Sequence, residues 1–145
     1  MFSNSPPAVF VVDDEPIIAS SRAAILKLHG YCATAFTSPR EALAAAQSRP
    51  PDLLISDVFM PGISGVDLAM LVKAQYPQCR ILLFSGQAST QDLLEDARLL
   101  GHDFQLLQKP VHPSAMLASI RALAVGSDLC RLVPVPPASR SIEAL

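Results

Sequence analysis

Four short segments carry residues that do chemistry when brought together: Asp13 with Asp14, Asp57, Ser85 with Gly86, and Lys109 followed by Pro110. Each stands at or just past the end of an apolar run, "AVFVV", "LLIS", "RILLF" or "DFQLLQ". Carboxylates at close range repel by about 4 kcal/mol per pair at an effective dielectric of about 20, so three of them together require positive charge. Lys109 supplies one unit. A hard divalent cation bound through oxygens supplies two more, which favours Mg²⁺ with several waters retained. A pocket of that composition receives phosphate. The metal and the lysine bind phosphoryl oxygens, the Ser85 hydroxyl and nearby backbone N–H groups donate to them, and a carboxylate attacks phosphorus.

Taken singly, each group also has an ordinary explanation. Asp-Asp after a strand is a common turn and helix cap, Ser-Gly is a common turn, and a lone Lys-Pro says almost nothing. The coincidence is what counts, because four of five strand ends carry complementary groups, and only the second, with Thr37 and Ser38, reads as plain capping. On the residues alone, a metal-and-phosphate site and a set of turn formers both stay open.

The elements that must position these residues follow from hydrophobic periodicity. Strands are expected at 8–12, 32–36, 53–57, 80–85 and 103–108, the third having the composition of a strand buried on both faces. Between them lie helical patterns. The first opens at Pro16, presents Ile17, Ile18, Ala24, Ile25 and Leu28, and stops at Gly30. The second, to about Gln47, begins with Ser38, Pro39 and Glu41 in a capping-box pattern. Ser64 and Asp67 repeat that pattern ahead of Leu68, Leu71 and Val72. Ser89 and Asp92 open a fourth helix with Leu93, Leu94, Ala97 and Leu100 inward, closed by Gly101, and Met116, Ile120 and Leu123 mark the fifth. Strict alternation with short connections predicts an α/β fold with a parallel five-stranded sheet and helices on both faces. Ligands of such sheets bind outside the carboxyl ends of the strands, where the reactive groups stand.

With 145 residues the chain has the size of one domain. A formal charge of −2 argues against a broad footprint for nucleic acid or an anionic membrane, so neither is expected as a direct partner. Cys32, Cys79 and Cys130 stand far apart with no metal-ligand spacing, and the odd count suits reduced thiols used for packing or at the surface. His29, His102 and His112 also lack ligand spacing and are expected at the surface. No signal-like start and no run near the roughly 18 apolar residues of a membrane span is present, so a soluble, cytoplasmic protein is expected. Residues 1–7 are expected to be a flexible N-terminus. The Pro-containing segment 126–145 is expected to be a flexible tail, with a docked segment or partner motif as the alternative.

The motifs "VVDDEP", "DVFMPGISG", "LLFSG" and "LQKP", each at its strand end, together resemble the receiver domain of two-component response regulators, over about residues 8–125. The resemblance implies a flavodoxin-like doubly wound sheet with strand order 2-1-3-4-5. It implies that Asp57 is the phosphoacceptor, taking a phosphoryl group from the phosphohistidine of a histidine kinase or phosphotransfer protein. Asp14 and Asp57 would ligate Mg²⁺ directly, Asp13 through water, and the Phe59 backbone carbonyl would complete the set. Ser85 would hydrogen-bond the phosphoryl group and Lys109 would pair with it, aimed by a cis bond to Pro110. The chain departs from the family where an aromatic switch residue usually precedes the lysine by three positions: that place holds Leu106, with Phe104 two residues earlier on the same strand face. Phe59 and Gln87 occupy the two variable positions that tune acyl-phosphate lifetime, and a bulky Phe59 is expected to slow hydrolysis by excluding water.

Three functions compete at this level. A stand-alone receiver would have no chemistry beyond its own phosphorylation and dephosphorylation, and it would signal by binding a downstream protein, because no effector domain is expected after residue 125. A small Mg²⁺-dependent phosphohydrolase would use the same aspartyl phosphate, yet the loops are short and Phe59 replaces the second aspartate of an Asp-x-Asp pattern. An unphosphorylated scaffold is disfavoured by the complete acidic set.

Overall fold

The computed structural model describes residues 6–86, 90–101 and 104–124. Gln87, Ser89, His102, Asp103, Cys130, most of the expected N-terminal tail (1–5) and the whole of the C-terminal one lie outside these residues. Elements alternate as β1 (Ala8–Val12), α1 (Pro16–Leu28), β2 (Cys32–Phe36), α2 (Pro39–Ser48), β3 (Leu53–Asp57), α3 (Gly65–Gln75), β4 (Arg80–Ser85), α4 (Thr90–Leu99), β5 (Gln105–Gln108) and α5 (Pro113–Ala124). All strand pairs are parallel, in the order β2-β1-β3-β4-β5, as expected. Among the described residues no helix is long and apolar enough to cross a membrane.

Period-two alternation divides the core between the two faces of the sheet. Val9, Val11, Leu53, Ile55, Leu82 and Phe84 pack with Ala23 and Leu26 of α1 and Met116 and Ile120 of α5. Phe10, Val12, Leu54, Ile81 and Leu83 pack with Ala42, Val66, Leu68, Val72 and Ala97 of α2, α3 and α4. Every residue of β1 and β3 is buried, which is why their sequences read as unbroken apolar runs.

The helix termini follow the local sequence closely. Gly30 at φ 90° ends α1, its N–H bonding the Lys27 carbonyl at 3.2 Å while Tyr31 N–H reaches the Leu26 carbonyl at 3.0 Å. Ser64 caps α3 in a complete box: its hydroxyl accepts from Asp67 N–H at 3.1 Å and the Asp67 carboxylate accepts from Ser64 N–H. The matching box at Ser38 and Glu41 does not form, since Ser38 makes no side-chain cap bond.

Helix faces differ more from expectation. In α1 the buried stripe is Ala19, Ala23 and Leu26, while Ile17 and Leu28 are 80% and 79% exposed. Small alanines let the helix lie close against the sheet, with Ile25 half-buried beside them and Ile17 and Leu28 left outside. Leu71 of α3 and Leu100 after α4 are likewise exposed rather than inward.

Candidate functional site

The ladder register brings the strand ends level. Val12 pairs with Ser56 and Asp57 with Phe84, so Asp13 and Asp57 emerge side by side, and Ser85 pairs with Gln108 just before Lys109. Asp13 is held in place by its own N–H, which donates to the Phe36 carbonyl at 3.1 Å. One carboxylate oxygen from each of Asp13, Asp14 and Asp57 lies within 4.8 Å of the others, with Asp13 and Asp57 buried and Asp14 exposed. Lys109 Nζ stands 2.8 Å from Asp57 Oδ1. The lysine is fixed by its N–H donating to the Ser85 carbonyl at 2.9 Å, and the Lys109–Pro110 bond is cis, as the resemblance implied. Ser85 is buried at the end of β4.

The chain after Asp57 is pinned from both sides. Val58 N–H donates to the Phe84 carbonyl at 2.9 Å, and the Val58 carbonyl accepts from Gly65 N–H at 2.7 Å. Ser56 Oγ donates to the Asp57 carbonyl at 2.9 Å. Gly65, the first residue of α3, sits so close that a Cβ there would collide with the Asp57 carbonyl oxygen. Glycine is required at this place by contact, not by backbone conformation. Phe59 is half-buried and packs, with Met60 and Ile63, against the core on the α2–α4 side. Phe104 and Leu106 both pack against that same core, so the expected sharing of one strand face holds.

Electrostatics match the crowding of charge. Burial pushes the Asp57 carboxyl above its ordinary value; the bond and charge of Lys109 pull it back, Asp13 pushes it further up and Arg22 opposes that. Arg22 was not among the residues singled out from the sequence. It projects from the buried stripe of α1, donates from Nη1 to Asp13 Oδ2 at 3.0 Å, and lies with Cζ 4.4 Å from the centre of the Phe84 ring. Its signal in the sequence was an arginine between Ala19, Ala23 and Leu26, nine residues after Asp13, but only knowledge of which stripe is buried makes it legible.

The other candidates stand apart from the pocket. Cys79 is buried in the core with its thiol pushed up to about 12 by burial, and Cys32 is a half-buried free thiol in β2. His29 is half-buried at the end of α1, its Nδ1 3.0 Å from the Ile25 carbonyl, and exposed His112 places Nδ1 2.8 Å from Ser114 Oγ at the start of α5.

A doubly wound parallel sheet with three carboxylates and a lysine at its carboxyl edge makes an α/β domain whose pocket is chemically suited to a hard cation and phosphoryl oxygens. The chain matches the family profile "Response regulator receiver domain" over residues 9–121 and belongs to that family. Among curated proteins it is 30% identical over 118 residues to the probable transcriptional regulatory protein TcrX of Mycobacterium tuberculosis, covering 81% of this chain and 50% of that one. It is 31% identical over 114 residues to the transcriptional regulatory protein FixJ of Azorhizobium caulinodans, covering 79% and 53%. The chain thus spans about half the length of these relatives. Among solved structures, the chemotaxis response regulator CheY4 of Vibrio cholerae superposes with a TM-score of 0.71 at 27% identity, covering 81% of this chain and 98% of that one. The receiver domain of NtrX from Brucella abortus gives 0.68 at 28%, covering 81% and 99%.

Proposed function

We propose that residues 8–125 form a receiver that takes a phosphoryl group onto Asp57 from the phosphohistidine of a partner kinase or phosphotransfer protein in the cytoplasm, and signals through phosphorylation-dependent protein binding. The observation that carries this reading is Asp57 itself, buried at the carboxyl edge of a central strand with Lys109 Nζ at 2.8 Å and the Asp13 and Asp14 oxygens alongside.

An Asp57 carboxylate oxygen forms the new bond to phosphorus as the N–P bond of the phosphohistidine breaks, and the imidazole leaves with the electron pair. Lys109, already in contact with the carboxylate, pairs with the added phosphoryl oxygens, and the Ser85 hydroxyl donates to them. Burial raises the Asp57 carboxyl, and the bond and charge of Lys109 oppose that by favouring the ionised form that attacks. The donor set fits Mg²⁺, being hard oxygens only. Asp13, Asp14, Asp57 and the Phe59 carbonyl would hold it, and when bound it offsets carboxylate charge and binds phosphoryl oxygen. On this reading the domain has no chemistry beyond gaining and losing its own phosphoryl group, and it needs neither nucleic acid nor a membrane as a direct partner.

Incubation with Mg²⁺ and a small phosphodonor, read by intact mass, tests the proposal. One added phosphoryl group that is absent in Asp57→Asn is the expected result. Labelling that persists in that variant, or rapid turnover of a generic phosphate ester with no labelled protein, would overturn it.

A further inference from the structure

Asp13 already has partners for both of its oxygens. Oδ2 accepts from Arg22 Nη1 at 3.0 Å and Oδ1 accepts from the Glu15 N–H at 2.9 Å. The arginine is no surface ornament: its side chain is 14% exposed, that of Asp13 is 1% exposed, and the guanidinium is stacked 4.4 Å from the ring of fully buried Phe84. An exposed pair would be screened by solvent and salt, whereas this one is held by packing on one side and by a buried carboxylate on the other. Burial pulls the guanidinium below its ordinary value and the Asp13 and Asp57 carboxylates oppose that, but an arginine stays charged at any ordinary pH.

We propose that Arg22 is a resident counter-cation of the acidic pocket, which competes with a divalent cation for Asp13 and so sets the metal affinity of this receiver. The inference rests on the reading of Asp13, Asp14 and Asp57 as a Mg²⁺ site. Its logic is charge balance. The three carboxylates carry −3, and Lys109 and Arg22 together return +2, so an incoming Mg²⁺ meets a pocket of net −1 rather than the −2 it would meet without the arginine. The metal must also displace or share the Arg22 bond to engage Asp13. Both effects weaken binding, and both arise from a side chain that contributes nothing to the coordination itself. Arg22 is therefore a positioning residue for Asp13 and a determinant of the cation concentration at which the pocket fills.

The test is an NMR titration of the ¹⁵N-labelled full chain with MgCl₂ at constant ionic strength, for the wild type, Arg22→Met, Arg22→Gln and Arg22→Lys. Removing one full charge beside the site is expected to tighten Mg²⁺ binding by about tenfold or more in the two neutral variants. Arg22→Lys, which keeps the charge and loses the stacking, is expected to stay near the wild-type affinity, an outcome that a purely structural role for the arginine does not give. In the wild type, the Arg22 Nε–Hε resonance should shift along the same saturation curve as the pocket amides. That readout needs no variant, so it decides the matter even where a substituted protein does not fold. Neutral variants that bind Mg²⁺ no more tightly than the wild type, or an Arg22 resonance that ignores saturating Mg²⁺, would overturn the proposal while leaving the metal site in place. Absence of saturable shifts in every protein would overturn the metal site and the proposal together.

Discussion

Gly65→Ala sets two physical effects against each other. Glycine at the first position of α3 has a freedom in the unfolded chain that alanine lacks, so the substitution by itself favours folding by about 0.4–1 kcal/mol. The structure opposes this. The new Cβ would collide with the Asp57 carbonyl oxygen and would lie 2.9 Å from both the Asp57 carbonyl carbon and Ser56 Oγ. Two of those three atoms are backbone of the most buried strand, so no rotamer change relieves the contact. Overpacking of this kind costs about 1–3 kcal/mol, and the rigid obstacle places Gly65 at the upper end. If α3 retreats instead, the 2.7 Å bond from Gly65 N–H to the Val58 carbonyl is lengthened, at about 1 kcal/mol. The net expectation is a loss of about 2–3 kcal/mol. With a urea slope of about 1–3 kcal/mol per molar, this lowers the unfolding midpoint by about 0.7–3 M. Urea titrations of both proteins by circular dichroism measure it directly. A Gly65→Ala midpoint equal to or above that of the wild type would refute the packing argument and show that the helix adjusts freely.

Asp57→Asn should melt above the wild type at pH 7, since burial raises the folded carboxyl above its ordinary value of 3.8 and ionisation there works against the fold. Between 3.8 and the raised value the folded state binds more protons than the unfolded one, so wild-type stability falls as pH rises through that window. The advantage of the asparagine protein should shrink as pH drops toward 3.8, and a variant that melts lower at pH 7 would contradict the sign. Phe104→Ala, which removes a half-buried ring, should cost about 2 kcal/mol in a denaturant melt yet leave phosphoryl uptake by intact mass in place. Phe59→Asn should shorten the half-life of the phosphorylated protein, followed by the decay of the labelled mass after donor removal. Ser64→Ala breaks the capping box of α3 and should cost about 1 kcal/mol in the same denaturant melt.

Local chemistry determined a good deal of this protein before any tertiary contact was considered. Buried parallel strands must be apolar on both faces, so β1, β3 and β4 appear as continuous runs, and the groups that end them, Asp13, Asp57 and Ser85, are visible at once. Turn and cap residues act within a few positions of themselves, which is why Gly30, the Ser64–Asp67 box and Gly101 were found in place. Tertiary structure decided what depends on which stripe of a helix meets the sheet. α1 carries isoleucine and leucine both where it meets solvent, at Ile17 and Leu28, and where it meets the core, at Ile25 and Leu26, so hydrophobicity alone does not pick the buried stripe. Close packing selects Ala19 and Ala23, because small side chains let the helix approach. That choice turns Arg22 inward onto Asp13 and Phe84. The same proximity makes Gly65 necessary beneath the Asp57 carbonyl. Spacing along a chain records its periodicities, whereas a charge pair or a steric contact between distant segments exists only once the layers have closed.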